Sequence, residues 1–162
     1  MIKPQHMLVV GGGIGGLAAA LALSQLGIRV TLLEQAEHIG EIGAGIQLAP
    51  NAFAALDALG VGENARRRAV FTDELVMMDA VDASVVGRFP VGAAFRQRFG
   101  NPYAVIHRAD IHTSILEGVQ QSQLISFKTS ARVEHQQDEK RRTRVDAAPR
   151  AQNGACQAQV RV

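Results

Sequence analysis

The chain has 162 residues, of which 47% are hydrophobic, and its formal net charge is +2. This length suits one domain with a single core, and no stretch approaches the roughly 18 apolar residues of a membrane span. Cys156 is the only cysteine, so no internal disulfide can form and a soluble, cytoplasmic protein is expected. Six basic and only two acidic residues lie in 139–162. The positive charge therefore belongs to that segment, and neither a nucleic-acid nor a membrane partner is expected.

The first elements in the chain form one strand–helix–strand unit. Met7–Val10 is a continuous apolar run that ends in glycines, which predicts a buried parallel strand. The Ala- and Leu-rich stretch Ile14–Leu26 predicts a helix buried on most sides, with Gly27 as its stop. Arg29–Leu33 supplies a second strand. The expected fold class is therefore α/β, with a Rossmann-like βαβ domain.

The pattern after the second strand differs from a simple repetition of this unit. A glycine loop over 40–45 is followed by two short helices and an antiparallel hairpin, which would begin a second sheet layer. The predicted elements, in chain order, are a helix from Pro50 to Gly60, a helix over 63–68, the hairpin over 74–90, a strand over 103–107, a helix from Asp110, and a last strand over 125–133.

The composition changes near residue 138. No Leu, Ile, Met, Phe or Tyr follows Phe127, and residues 139–162 consist mainly of Arg, Ala, Gln and Val. Such a segment buries too little apolar surface to offset its ordering entropy, so disorder is expected there. Residues 1–138 are accordingly expected to form the folded domain.

Gly11, Gly13 and Gly16 form a G-x-G-x-x-G motif between the first strand and the first helix. Gly11 permits a tight turn, Gly13 a close approach to a pyrophosphate, and Gly16 close packing of helix on strand. Glu34 lies 18 residues after Gly16, at the end of the second strand. Its carboxylate can accept the adenosine ribose hydroxyls and would repel a 2′-phosphate. The motif predicts a dinucleotide site, and the ADP half alone fits both NAD and FAD.

The hairpin over 74–90 favours FAD, because an NAD dehydrogenase would ordinarily continue with another helix and parallel strand. The chain also resembles the class A FAD-dependent aromatic monooxygenases over about residues 5–138. Within that class it is most similar to 3-hydroxybenzoate 6-hydroxylases and salicylate hydroxylases. The stretches that carry the resemblance are Gly11–Glu34, Gly43–Ala52, Ile106–His112 and Ser130–Val133.

The resemblance implies FAD as the cofactor and assigns roles to several residues. Arg108 would contact the ribityl–phosphate region of the flavin, Gln47 would lie near the isoalloxazine or the substrate entrance, and Gln35 and Val133 would border the adenosine. A surface salt bridge for Arg108 and a loop hydrogen bond for Gln47 are the structural alternatives. The expected phosphate contacts come from the motif and the start of the helix, namely Gly11, Gly13, Ile14, Gly15 and Gly16.

The sequence assigns neither a metal site to the histidines nor a catalytic role to any side chain. His107 and His112 flank Arg108, but a core or helix-surface position is expected for each, and the other histidines show no metal-ligand spacing. No catalytic residue is assigned, since by the resemblance the residues that hold the ring substrate lie mostly beyond residue 138.

The resemblance implies hydroxylation of a hydroxybenzoate- or salicylate-type ring with NAD(P)H as transient reductant and O2. The family's Asp-Gly motif after the Val133 strand and its later Gly-Asp motif are missing, so the chain is expected to be an N-terminal fragment that is inactive alone. A frameshift near Glu139 is our hypothesis for 139–162. The alternatives are a non-catalytic dinucleotide-binding module and an NAD-dependent reductase domain.

Overall fold

The computed structural model describes residues 6–38, 43–139, 142–149 and 158–161, with side chains through residue 133. The chain divides into two compact units. The first comprises Met1–Glu41 and Ile115–Val162, and the second comprises Ile42–Ser114.

The first unit contains a three-stranded parallel sheet. Strand β1 (His6–Val10) leads through the glycine motif into helix α1 (Ile14–Gln25), and the chain returns as strand β2 (Arg29–Leu33). Strand β2 lies in the middle, paired in parallel with β1 and with strand β8 (Ile125–Lys128). The predicted βαβ unit is confirmed, and Gly27 adopts the positive φ (+76°) expected of a helix stop.

Burial in this unit differs from the sequence prediction at two elements. Strand β2 is buried along Val30–Leu33, whereas Met7 and Val10 of β1 are exposed. Among the described residues, β2 is the central strand of this sheet and β1 is an edge strand. Helix α1 buries one face rather than most sides. The buried residues recur at the three- and four-residue spacing of a single helical face: Leu17, Ala20, Leu21 and Ser24.

The last predicted strand, 125–133, is two strands in the structure. Strand β8 ends at Lys128, Ser130 takes a left-handed φ of 54°, and strand β9 (Ala131–Glu139) begins directly after it. The N–H of Ser130 donates to the carbonyl oxygen of Ala36 at 3.0 Å. The turn was not predicted because Thr129–Ser130 contains neither of the usual breakers, glycine and proline.

The segment for which we expected disorder contains strands. Strand β10 (Arg142–Pro149) pairs antiparallel with β9, and strand β11 (Ala158–Arg161) pairs antiparallel with β10. Such a ladder satisfies backbone N–H and C=O groups whatever the side chains are. A prediction based on apolar content does not take these backbone hydrogen bonds into account. Residues 140–141, 150–157 and 162, which belong to the same predicted segment, lie outside the described residues.

The second unit contains a small antiparallel sheet with strand β7 (Ala104–His107) in its centre. Its neighbours are strand β3 (Gly45–Leu48) and strand β4 (Val70–Phe71). The predicted hairpin is confirmed as strands β5 (Glu74–Met78) and β6 (Val85–Pro90). The helices that start in this unit are α2 (Pro50–Ala58), α3 (Gly62–Arg66), α4 (Ala93–Phe99) and α5 (Arg108–Gln121).

Arg66 links three segments of the second unit. Its guanidinium donates two hydrogen bonds to the Asp57 carboxylate, at 2.5 and 2.8 Å, and one to the Asn101 side chain at 2.6 Å. It also lies 5.1 Å from the ring centroid of buried Phe53. The hydrogen bond from Arg66 lowers the pKa of Asp57. This cluster orders α2, α3 and the approach to β7.

Helix α5 is amphipathic as predicted, with Ile111, Ile115 and Val119 buried. It begins at Arg108 rather than at Asp110, so Arg108 belongs to its first turn. No helix among the described residues is both long and apolar enough to cross a bilayer.

Candidate functional site

The glycine motif forms the connection from β1 to α1. Gly11 has a φ of +100°, which an L-residue rarely adopts, and its N–H donates to the Leu33 carbonyl oxygen at 2.7 Å. At Gly16 a Cβ atom would collide with the carbonyl oxygen of Gly11. The two glycines therefore meet, and each is required by the backbone: Gly11 for its dihedral angle and Gly16 for close packing.

The N-terminus of α1 lies in the same loop. Gly13 is extended (φ −72°, ψ 178°) at the N-cap position, no side chain caps this end, and the first turn contains no acidic residue. The first intrahelical pair is Leu17 N–H to the Gly13 carbonyl oxygen, at 3.0 Å, so the N–H groups of Ile14, Gly15 and Gly16 precede the helical ladder. A Cβ atom at Gly15 would meet nothing within 4 Å. The turn presents backbone donors and a partial positive charge on an open side.

Glu34 contacts this loop directly. One carboxylate oxygen accepts the N–H of Gly12 at 2.6 Å, and the other accepts the N–H of Ala36 at 2.8 Å. The backbone of Glu34 is held on both sides, since its N–H donates to Lys128 O at 2.9 Å and its carbonyl oxygen accepts from Ala131 N–H at 2.8 Å. The structure therefore brings the predicted acid and the glycine motif together. Each oxygen keeps a second lone pair for a hydroxyl donor.

Phe127 is a member of this region that sequence reasoning missed. A Cβ atom at Gly12 would lie 3.1 Å from the Phe127 ring and 3.1 Å from Glu34 Cβ. Gly12 thus fits tightly between the β8 aromatic ring and the acidic side chain, and a methyl group there would require these neighbours to shift by a few tenths of an ångström. The glycine run Gly11–Gly13 marks Gly12 as part of the turn, but nothing in the sequence indicates that Phe127 packs against it.

The two predicted adenosine neighbours differ in their surroundings. Gln35 is exposed directly after Glu34. Val133 is half-buried and packs with Leu8 and Ala131 against Leu33, so its side chain is part of the core. Contact between either residue and adenosine stays a prediction.

In the second unit, Arg108 lies against Gly43. A Cβ atom at Gly43 would be 2.9 Å from Arg108 Cδ and 3.0 Å from Arg108 Cβ. The Arg108 N–H donates to the Ala44 carbonyl oxygen at 3.3 Å. Gln47 is exposed on β3 and is paired in register with Val105. Thus two of the stretches that carry the resemblance, the loop at Gly43 and the start of α5, are in contact.

The histidines beside Arg108 occupy two environments. His107 is exposed, and its Nδ1 lies 3.3 Å from the Ala109 N–H as an acceptor at the start of α5. His112 is buried, with 4% of its surface exposed. The described residues contain no group of three or more His, Cys, Asp or Glu side chains that could hold a metal ion.

The chain is similar in sequence to a known domain family and to known enzymes. A sequence model of the NAD(P)-binding Rossmann-like domain matches residues 9–52. The chain is 69% identical over 126 residues to 3-hydroxybenzoate 6-hydroxylase of Polaromonas naphthalenivorans (strain CJ2), and 57% identical over 133 residues to the enzyme of that name from Klebsiella oxytoca. Close homologues of this chain are 3-hydroxybenzoate 6-hydroxylases. The alignments cover 78% and 82% of this chain.

The chain spans about a third of these hydroxylases, 32% and 34% of their lengths, and corresponds to their N-terminal part. Solved structures show the same fold. p-Nitrophenol 4-monooxygenase PnpA from Pseudomonas putida DLL-E4 matches with a TM-score of 0.85 at 22% identity, over 97% of this chain and 39% of PnpA. Klebsiella pneumoniae HpxO complexed with FAD and uric acid matches with a TM-score of 0.75 at 23% identity, over 98% and 38% of the two chains.

These findings confirm the α/β, Rossmann-like fold class and the resemblance to hydroxybenzoate hydroxylases. The homologues and structural neighbours are FAD-dependent monooxygenases, and some of the solved neighbours hold FAD. The roles assigned to individual residues stay predictions.

Proposed function

We propose that this chain is the FAD-binding portion of a flavin-dependent monooxygenase that hydroxylates an aromatic ring of the hydroxybenzoate or salicylate type. The observation that supports this most strongly is the 69% identity to a 3-hydroxybenzoate 6-hydroxylase over 126 residues. The geometry at Glu34 supports the dinucleotide-binding part of this proposal, because an acid, a glycine turn and an open helix N-terminus occur together.

The first unit fits the ADP half of the cofactor. The N–H groups at Gly13, Ile14, Gly15 and Gly16 suit the pyrophosphate oxygens, since backbone donors at a helix N-terminus favour negative charge. The Glu34 carboxylate is already fixed by two N–H groups, so it can accept ribose hydroxyls with little loss of side-chain entropy.

We assign the flavin contact in the second unit to Arg108 and a polar contact to Gln47. A guanidinium keeps its charge at every physiological pH and presents a planar set of donors, which suits phosphate and ribityl oxygens. Both side chains are exposed on the described surface, as a ligand contact requires. Gln35 and Val133 are proposed to border the adenosine.

When bound, FAD supplies the redox chemistry that couples NAD(P)H oxidation and O2 to ring hydroxylation. The residues of this chain would bind and orient it. The proposed partner is a small aromatic substrate, with no nucleic acid or membrane, and the proposed location is the cytoplasm.

An NAD-dependent reductase domain is the second candidate. It is favoured by one observation, the match of residues 9–52 to an NAD(P)-binding Rossmann-like domain. That match covers the βαβ unit, which serves the ADP half of either cofactor.

The deciding experiment titrates the purified chain with FAD and separately with NADH. We expect saturable quenching of FAD fluorescence, and loss of quenching in Gly13→Val. Gly13 has an extended backbone that valine can adopt, so the added side chain blocks the phosphate approach without breaking the turn. Circular dichroism of the variant checks that the fold is retained. Preferential binding of NADH would instead favour the reductase, and binding of neither would refute both.

A further inference from the structure

Gly43 and Arg108 fit together closely within the second unit. The position that a Cβ atom of residue 43 would take is 2.9 Å from Cδ, 3.0 Å from Cβ and 3.4 Å from Cγ of Arg108. Cβ is fixed by the Arg108 backbone, whereas Cγ and Cδ can move only by a change of rotamer, which would carry the guanidinium with them. The Arg108 stem therefore occupies the space that a side chain at residue 43 would need.

The backbone fixes this arrangement from both sides. Strand β3 begins at Gly45, which pairs with His107 of β7. The Arg108 N–H donates to the Ala44 carbonyl oxygen at 3.3 Å. The segment before β3 and the first turn of α5 are thus held next to each other. The Arg108 stem lies against the position at which residue 43 would carry a side chain.

The contacts give a steric reason for glycine at residue 43, and it concerns Arg108. All three of the nearest heavy atoms to the Cβ position of residue 43 belong to the Arg108 side chain.

The helix dipole does not favour an arginine at this place. Arg108 lies in the first turn of α5, where the helix dipole favours anions and disfavours cations. A guanidinium held there suits an anionic ligand better than it suits the helix.

We propose that Gly43 is a positioning residue that holds the Arg108 guanidinium in its ligand-binding orientation. The consequence for FAD rests on the proposed function, in which Arg108 contacts the ribityl–phosphate region. A side chain at residue 43 displaces the Arg108 stem, and the cofactor then loses a charged contact although Arg108 itself is unchanged.

The test is a double-mutant cycle with Gly43→Ala and Arg108→Ala, measured by FAD fluorescence quenching and by thermal melts. Gly45→Ala is the matched control, because its Cβ atom would make an ordinary contact of 3.5 Å with Val105 Cγ1. We expect Gly43→Ala to weaken FAD binding about tenfold and to lower Tm by about 2–4 °C. Arg108→Ala removes the Cγ and Cδ atoms and leaves the Cβ contact at 3.0 Å, so in that background Gly43→Ala should lower Tm by less and should leave FAD affinity unchanged.

The salt dependence of FAD affinity is the readout that a purely structural role would not move. Loss of a charge contact flattens that dependence in Gly43→Ala as in Arg108→Ala, whereas Gly45→Ala should keep the wild-type slope. Equal effects of Gly43→Ala in both backgrounds, or none in either, would overturn the proposal. If wild-type protein fails to bind FAD, the proposed function fails, and the Tm cycle alone still decides whether Gly43 and Arg108 are coupled.

Discussion

The Glu34 carboxylate holds two backbone N–H groups, one from Gly12 in the glycine motif and one from Ala36 in the segment that follows β2. It therefore connects the turn that would receive phosphates to the position that would receive the ribose. The two bonds measure 2.6 and 2.8 Å. This one side chain orders the loop and offers its remaining lone pairs to a ligand.

The variant Glu34→Gln tests this double role. One end of a glutamine amide is a donor, so either Gly12 N–H or Ala36 N–H would face an NH2 group instead of an acceptor. We expect FAD to bind roughly tenfold to hundredfold more weakly, because hydrogen bonds to a charged group are lost. Fluorescence titration measures the change.

Glu37→Gln is the matched control, since it makes the same charge change at an exposed residue three positions later. Its FAD affinity should equal that of the wild type. If both variants weaken FAD binding equally, the loss of affinity comes from the long-range effect of the charge and not from the Glu34 hydrogen bonds.

Among the elements, those with long apolar patterns could be predicted from the sequence. Strands β1 and β2, helices α1, α2 and α5 and the hairpin lie where the pattern indicates. The short elements β3, β4 and α4 were missed, and so were β10 and β11. Strand β3 is glycine- and glutamine-containing and is defined by pairing with β7, and α4 has seven residues and no buried side chain. Neither leaves a periodic apolar signal.

In the candidate site too, some contacts could be predicted from the sequence and others could not. The spacing of Gly11, Gly16 and Glu34 predicted their proximity, because the βαβ unit is a local structure with known geometry. The contact of Phe127 with Gly12 joins residues far apart in sequence, so only the folded sheet reveals it. The fit of Arg108 against Gly43 is a tertiary contact of the same kind.

The packing of α1 against the glycine turn leads to a prediction at this scale. Gly16→Ala places a methyl group against the Gly11 carbonyl oxygen, which is backbone and cannot rotate away. We expect Tm to fall by at least about 4 °C. Gly15→Ala, one residue earlier in the same helical turn, points into open space and gains helix propensity. Its Tm should equal or exceed that of the wild type in the same thermal melt, and a loss in Gly15→Ala as large as in Gly16→Ala would contradict this packing.

At the scale of the whole molecule, the residues proposed to contact FAD end at Val133, whereas the chain continues to Val162. Strand β9 contains Val133 and continues beyond it to Glu139. It follows β8 in the first unit and pairs with β10, which in turn pairs with β11. Among the described residues, β10 and β11 have strand partners only within this antiparallel sheet. The sheet is therefore separate in its pairing from the parallel sheet that carries Glu34.

We propose on this basis that residues 1–138 are the FAD-binding domain, and that a chain ending at residue 138 binds FAD as the full chain does. Strand β10 pairs with Val133, which is proposed to border the adenosine, but neither β10 nor β11 pairs with β1 or β2 among the described residues. The FAD dissociation constant should therefore stay within about twofold. Titration of both proteins under one set of conditions measures this, and circular dichroism checks that the shorter chain keeps its helices. A folded shorter chain with affinity reduced tenfold or more would place β10 and β11 within the FAD-binding domain and move its boundary beyond residue 138.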